Sequence, residues 1–253
     1  MHVQLQTDLS MLPDDDTFRR RLTALRPDQH WISMGGGFEL PMMRYVGVLP
    51  RETGPHFIPP ISESNRFPRL TSVMVSDDFE SSQNEATEVL QLAIHRQFRQ
   101  ATSDKWIRFA VGRRIEDYPD PVSALGRADL ISDDLGPTAY SDKLSEVIRT
   151  YLQLLNSNGA AFLAGNNFER IRIVDRIGNQ VPIERFFAAI RGATVTVPKN
   201  SDVAHMATSS GNLPSRRTIR LVRNEEPIVV PRLRILAVEN GLPPHMTFVW
   251  DDP

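Results

Sequence analysis

The chain contains no cysteine among its 253 residues. That excludes disulfides, cysteine nucleophiles and thiolate metal sites. No apolar run reaches the roughly 18 residues that would read as a membrane-spanning helix. Neither sign of charge dominates: 29 Lys and Arg stand against 31 Asp and Glu, a net −2 at pH 7. The balance removes any general pull toward nucleic acid or an anionic membrane surface. The opening "MHVQLQTDLSMLPDDD" lacks a basic stretch followed by an apolar one, so no signal peptide is expected. With cysteine absent as well, the expectation is a cytoplasmic protein. Histidine is scarce and dispersed, at positions 2, 30, 56, 95, 205 and 245. No two are four apart and no HExxH occurs, so no metal is expected.

What is present is ordinary for a globular chain: 40% apolar and 24% charged residues, in a length that can bury a sizeable core. After an acidic start, Phe18, Leu22 and Leu25 recur at helical spacing, which predicts an N-terminal helical segment within 1–29. Next comes "HWISMGGGFELPMMRYV", a short apolar strand running into Gly35, Gly36 and Gly37. Glycines there allow a backbone to approach a ligand, and equally allow a tight turn. Residues 49–69 hold five prolines and read as a long irregular loop, a candidate cover for a site.

Further on, "LTSVMVSDD", "KWIRFAVG", "RADLISDD" and "AAFLAG" read as strands. "SSQNEATEVLQLAIHRQFRQA" and "SDKLSEVIRTYLQLLNSNG" read as helices, the second capped by Ser141 and stopped by Gly159. Alternating strand and helix over 30–165 predicts a parallel sheet with helices on both faces. In such sheets ligands bind beyond the carboxyl ends of the strands, where the strand order reverses. The residues expected there are Gly35–Gly37, Asp77 and Asp78, the stretch Gly112 to Asp117, and Asp133 and Asp134. After 165, "IERFFAAIRGATVTV" predicts a helix and a strand. "RTIRLVRN" and "MTFVWDD" predict short strands that pair antiparallel. The expected organisation is one domain over 30–253.

In this order the pieces resemble class I S-adenosylmethionine-dependent methyltransferases. "ADLISDDLGPTAYSDKLSEVIRTYLQLLNSNGAAFLAG" is similar to the family's fourth strand, the following helix, its "LL(K)PGG" turn and the fifth strand. "WIRFAVGRRIEDYP" resembles the third strand and its G-D-x-x-D-L-P ending, and "HWISMGGG" sits where the family has its glycine-rich first motif. The resemblance covers roughly residues 30–200 and rests on the order of several weak motifs. It implies a Rossmann-like class I methyltransferase fold with antiparallel C-terminal strands. It implies S-adenosylmethionine as cofactor, held by Ser33, Gly35, Gly36, Gly37, Asp77, Asp78, Glu116 and Asp117. It implies a small-molecule substrate acted on by Asp133, Asp134 and Tyr140. A homodimer is compatible with it; a membrane or nucleic-acid partner is not expected.

Three positions depart from the family. Ser33 stands where an acid precedes the first glycine, Glu39 where a third glycine belongs, and Met74 where an acid accepts the ribose hydroxyls. A thioether cannot replace a carboxylate acceptor. These departures define the alternative expectation: a chain that keeps the fold without methylating, with weak or no cofactor binding.

Overall fold

The structure, a computed structural model, describes residues 16–34, 68–74, 107–111, 113–133, 136–164, 168, 170–197, 218–241 and 244–251. The glycine turn Gly35–Gly37, the proline-rich loop expected at 49–69 up to residue 67, Asp77, Asp78, the helix expected over 81–101 and Asp134 lie outside the described residues, and Arg69, expected to end that loop, begins β2.

The first element is α1 (Asp16–Thr23), followed by β1 (His30–Met34), β2 (Arg69–Met74) and β3 (Ile107–Val111). A short 3-10 turn at Ile115–Asp117 leads to α2 (Pro121–Leu125) and β4 (Ala128–Asp133). Then come α3 (Pro137–Tyr140), α4 (Leu144–Leu154), β5 (Leu155–Ala164), β6 (Ile171–Val174) and β7 (Gln180–Val181). The chain ends with α5 (Ile183–Ala188), β8 (Ala193–Thr196), β9 (Thr218–Arg223), β10 (Leu233–Glu239) and β11 (His245–Trp250).

Seven strands form the main sheet in the order β3-β2-β1-β4-β5-β9-β8. The first five are mutually parallel, while β9 runs antiparallel to both β5 and β8. Strand β1 is buried along its whole length, as a central parallel strand covered on both faces must be. The order 3-2-1-4-5 is the doubly wound one, and it reverses between β1 and β4. The expected fold class is therefore present: a mostly parallel central sheet with antiparallel strands at the C-terminal side.

Helix α4 explains how the sheet is covered. Leu144, Val147, Ile148, Tyr151, Leu152 and Leu154 are all fully buried, and Ser145 is buried too. A helix apolar on more than one stripe packs on more than one side. One neighbour is a second sheet in the order β10-β11-β6-β7. The Ser145 hydroxyl donates to the Pro231 carbonyl at 2.7 Å and accepts from the Leu233 N–H at 2.9 Å, pinning the helix to the start of β10. Phe186, Phe187, Phe248 and Trp250 join α4 and the inner face of the main sheet in one apolar core.

On the other face, Phe18 of α1 packs edge-on against Trp31 and Phe162, with ring centroids 6.3 and 5.3 Å apart. The helical spacing read around Phe18 and Leu22 thus marks a face laid on the sheet; both are fully buried. Among the described residues, no helix is long and apolar enough to cross a membrane.

Two local expectations are corrected. The helix expected to run to Gly159 ends at Leu154, and the chain passes directly into β5 at Leu155. Gly159 does not stop it. A Cβ there would lie 2.9 Å from the Asn156 carbonyl oxygen and 3.0 Å from that of Ala128, so the glycine serves a close approach of β5 to β4. The left-handed residue is Asn158, at φ 64°. Ser141 does not cap α4 either. The cap position is Lys143, with no side-chain capping bond; the Ser141 hydroxyl accepts from the Lys143 N–H at 3.0 Å, ahead of the helix, and donates to Glu116.

Candidate functional site

The strand order reverses between β1 and β4, whose last residues Met34 and Asp133 are partners in register. Asp133 is fully buried. Its Oδ1 accepts from the Gly136 N–H at 2.9 Å. Its Oδ2 accepts from the Thr138 N–H at 3.0 Å and from the Tyr151 hydroxyl at 2.6 Å. An acid three residues before one N–H and five before another is well spaced to close a turn around its own carboxylate. Here the turn leads into α3, with Pro137 in the helix's first position. Burial pushes the Asp133 carboxyl up from its ordinary value, against the pull of these donors, and burial pushes the Tyr151 phenol up as well.

Gly136 is required by the same turn. A Cβ at this position would meet Asp133 Oδ1 at 2.6 Å and the Met34 carbonyl oxygen at 2.9 Å. The turn after β4 is therefore laid across the carboxyl end of β1. Gly136 and Tyr151 are not singled out by the sequence motifs, and the structure adds both to this cluster. The signal was the D-x-x-G-P-T spacing, a carboxylate placed to collect the N–H groups of the next turn.

Glu116 comes from the 3-10 turn after β3. Its Oε1 accepts from the Ser141 hydroxyl at 2.5 Å, and its field adds to the rise of the Tyr151 phenol. Its Oε2 is shut off from solvent and has no hydrogen-bond donor among the described residues. Buried polar atoms are nearly always paired, so an unpaired carboxylate oxygen beside a switch point is a candidate acceptor for a ligand's N–H or O–H. Asp117, next in sequence, points outward and is bound to Lys143 at 2.8 Å, which holds its carboxyl below the usual range. Arg114 and Asp142 make a second exposed ion pair across the same loops, at 3.5 Å.

Ser33 is buried one residue before the end of β1, in register with Ser72 on one side and Ser132 on the other. The three hydroxyl-bearing residues make a row of small side chains across the sheet. Ser132 also accepts from the Trp31 indole N–H at 2.9 Å. Tyr140, at the end of α3, is 42% exposed. Of the residues expected from sequence, Glu116, Asp133, Ser33 and Tyr140 thus stand on elements at the carboxyl ends of β1, β3 and β4. Asp117 turns away into an ion pair. Met74 ends β2, paired with Val111.

No protein-family model matches the sequence, and no curated protein does. Among solved structures, the chain is similar to N-methyltransferase NodS from Bradyrhizobium japonicum WM9, at 11% identity and a TM-score of 0.44, over 88% of this chain and 98% of that one. It is similar to the O-methyltransferase TomG from Streptomyces achromogenes, solved with SAM, at 13% identity and a TM-score of 0.43, over 87% of this chain and 80% of that one. It is similar to PKMT2 from Rickettsia typhi at 14% identity and a TM-score of 0.34, over 63% of this chain. The chain spans only 24% of the length of PKMT2. The fold itself rests on the strand order and directions described above, which are those of a Rossmann-like sheet with an antiparallel strand inserted before its last.

Proposed function

We propose that the chain is an S-adenosylmethionine-dependent methyltransferase acting on a small-molecule acceptor, with cofactor and acceptor bound beyond the carboxyl ends of β1 and β4. The observation that supports this best is the reversal of strand order there, with the buried Oε2 of Glu116, which meets no donor among the described residues, beside it. That oxygen suits a neutral donor such as the cofactor's exocyclic amine. Gly35–Gly37 would supply close backbone approach, and Asp77 or Asp78 the acceptor for the ribose hydroxyls that Met74 cannot supply.

The sulfonium methyl is already activated, so the protein's task is to hold an acceptor in line with it. Tyr140, an exposed phenol, would orient or deprotonate that acceptor together with Asp134. Asp133, enclosed by its own turn and Tyr151, acts by holding the 136–140 segment in place. Calorimetric titration with S-adenosylmethionine and S-adenosylhomocysteine tests the reading. Micromolar binding that weakens in Gly35→Val and in Asp77→Asn or Asp78→Asn supports it.

A second reading is favoured by Ser33 and Met74: a chain that keeps the fold but has lost the cofactor. Both positions, one at the end of β1 and one at the end of β2, carry no carboxylate. Absence of binding to either ligand by the folded protein would select it.

A further inference from the structure

Strand β10 is the outer strand of the second sheet, hydrogen-bonded on one side to β11 and on the other to no described strand. Its sequence is LRILAVE, and all but its first residue are exposed. Ile235 is 37%, Leu236 62% and Val238 58% exposed; these are three of the six exposed large apolar side chains among the described residues. An apolar edge strand whose outer N–H and C=O groups meet no described strand is a template for another strand.

The edge carries one charge at each end, and they are of opposite sign. Register with β11 pairs Arg234 with Val249, Ile235 with Phe248, Ala237 with Thr247, Val238 with Met246 and Glu239 with His245. Leu236 is skipped, as the extra residue of a bulge. With the bulge discounted, Arg234 and Glu239 lie two pleat positions on either side of Ala237, on the same face. Ile235 and Val238 lie one position on either side of it, on the opposite face, with Phe248 and Met246.

We propose that β10 pairs antiparallel with β10 of a second copy of this chain, about a two-fold axis at Ala237. A perpendicular two-fold axis makes every pairing reciprocal and keeps each side chain on its own face. Arg234 then faces the second copy's Glu239 and Glu239 faces its Arg234. Ile235 faces Val238, and the apolar inner face continues from one sheet into the next. The two bulges fall on opposite sides of the axis and do not collide in register. An edge protected by charges of one sign would repel its own copy; this one attracts it, and that favours a second copy over an unrelated strand. Arg234 uses Nε and Nη2 on Asp251, both at 3.1 Å, which fixes its head at the strand's end and leaves Nη1 for the partner. A single added strand buries a modest area, so the dimer is weak and concentration-dependent.

Sedimentation equilibrium of the full chain at rising concentration tests this. The average mass should climb from 28.6 kDa toward twice that value. Val238→Lys and Glu239→Arg should each weaken association at least tenfold, while circular dichroism and the unfolding midpoint stay near those of the wild type. Hydrogen exchange of the 234–239 amides should slow as concentration rises in the wild type only. Association should also weaken with salt in the wild type, through the two Arg–Glu pairs. A wild type that stays monomeric up to millimolar concentration overturns the proposal. So does a folded Glu239→Arg chain that associates as well as the wild type, and so does association without slowed exchange in β10.

Discussion

The Tyr151 hydroxyl donates to Asp133 Oδ2 at 2.6 Å, tying the middle of α4 to the last residue of β4. Both groups are fully buried. Removing the phenol oxygen leaves a buried carboxylate with one donor fewer, and a hydrogen bond to a charged group contributes about 1.5–3 kcal/mol. Tyr151→Phe should lower the unfolding free energy by that amount in urea titrations, with an unchanged slope. A variant as stable as the wild type would mean that Asp133 finds another donor.

Gly136 tests the same turn from the backbone side. An added methyl meets a carboxylate oxygen and a main-chain carbonyl at distances below contact, and neither is the end of a flexible chain. Gly136→Ala should cost about 1–3 kcal/mol, the usual range for overpacking. An unshifted urea midpoint would show that the turn over Met34 relaxes freely.

Acid should destabilise the protein through His30. Its Nδ1 lies 2.9 Å from the Arg127 carbonyl oxygen and its Nε2 2.8 Å from the Thr71 hydroxyl. Burial lowers its pKa, only partly opposed by the Arg127 bond. A folded pKa below the unfolded one, about 6.5, means the unfolded chain binds the proton first as pH falls. The neutral imidazole's contribution is complete above about pH 6.5 and is lost as pH drops from there toward the folded pKa. Asp133 acts with the opposite sign. Its folded pKa is raised, so its contribution is complete below about pH 3.9 and is lost as pH rises through the folded value. In urea midpoints against pH, His30→Gln should flatten the slope just below 6.5. A slope identical in His30→Gln and wild type would assign it to other groups.

Glu116 and Tyr140 separate binding from turnover in the proposed enzyme. Glu116→Gln replaces half of a carboxylate with a donor, and loss of a charged-acceptor hydrogen bond corresponds to roughly ten- to a hundredfold in affinity. Cofactor dissociation constants should rise by about that factor while the unfolding midpoint moves little. Tyr140→Phe should leave cofactor affinity unchanged and lower kcat by about 10²-fold or more if the phenol takes part in proton transfer. Equal kcat in Tyr140→Phe would remove it from the catalytic step.

Strands β1 to β5 and helix α4 were legible in the residues. Buried parallel strands need unbroken apolar runs, and amphipathic helices need a 3.6-residue stripe, so "HWISM", "AAFLAG" and the α4 stripe announce themselves locally. The antiparallel pairing of β9 was expected from "RTIRLVRN"; its place between β5 and β8 was not legible, because strand order depends on which surfaces bury best together. The second sheet was hidden for the same reason. Its two halves, β6–β7 and β10–β11, lie 52 residues apart in the chain (Val181 to Leu233) and share one apolar core with α4.

The site divides along the same line. Motif order alone pointed to acids at or beyond the carboxyl ends of β3 and β4, where Glu116 and Asp133 stand. Which acid is held and which is left with an unpaired oxygen was decided only by tertiary structure. Asp133 and Glu116 are the same kind of group to a sequence reader. One is enclosed by Gly136, Thr138 and Tyr151, and the other keeps an oxygen without a donor among the described residues, because hydrogen-bond satisfaction depends on neighbours 18 and 25 residues away along the chain.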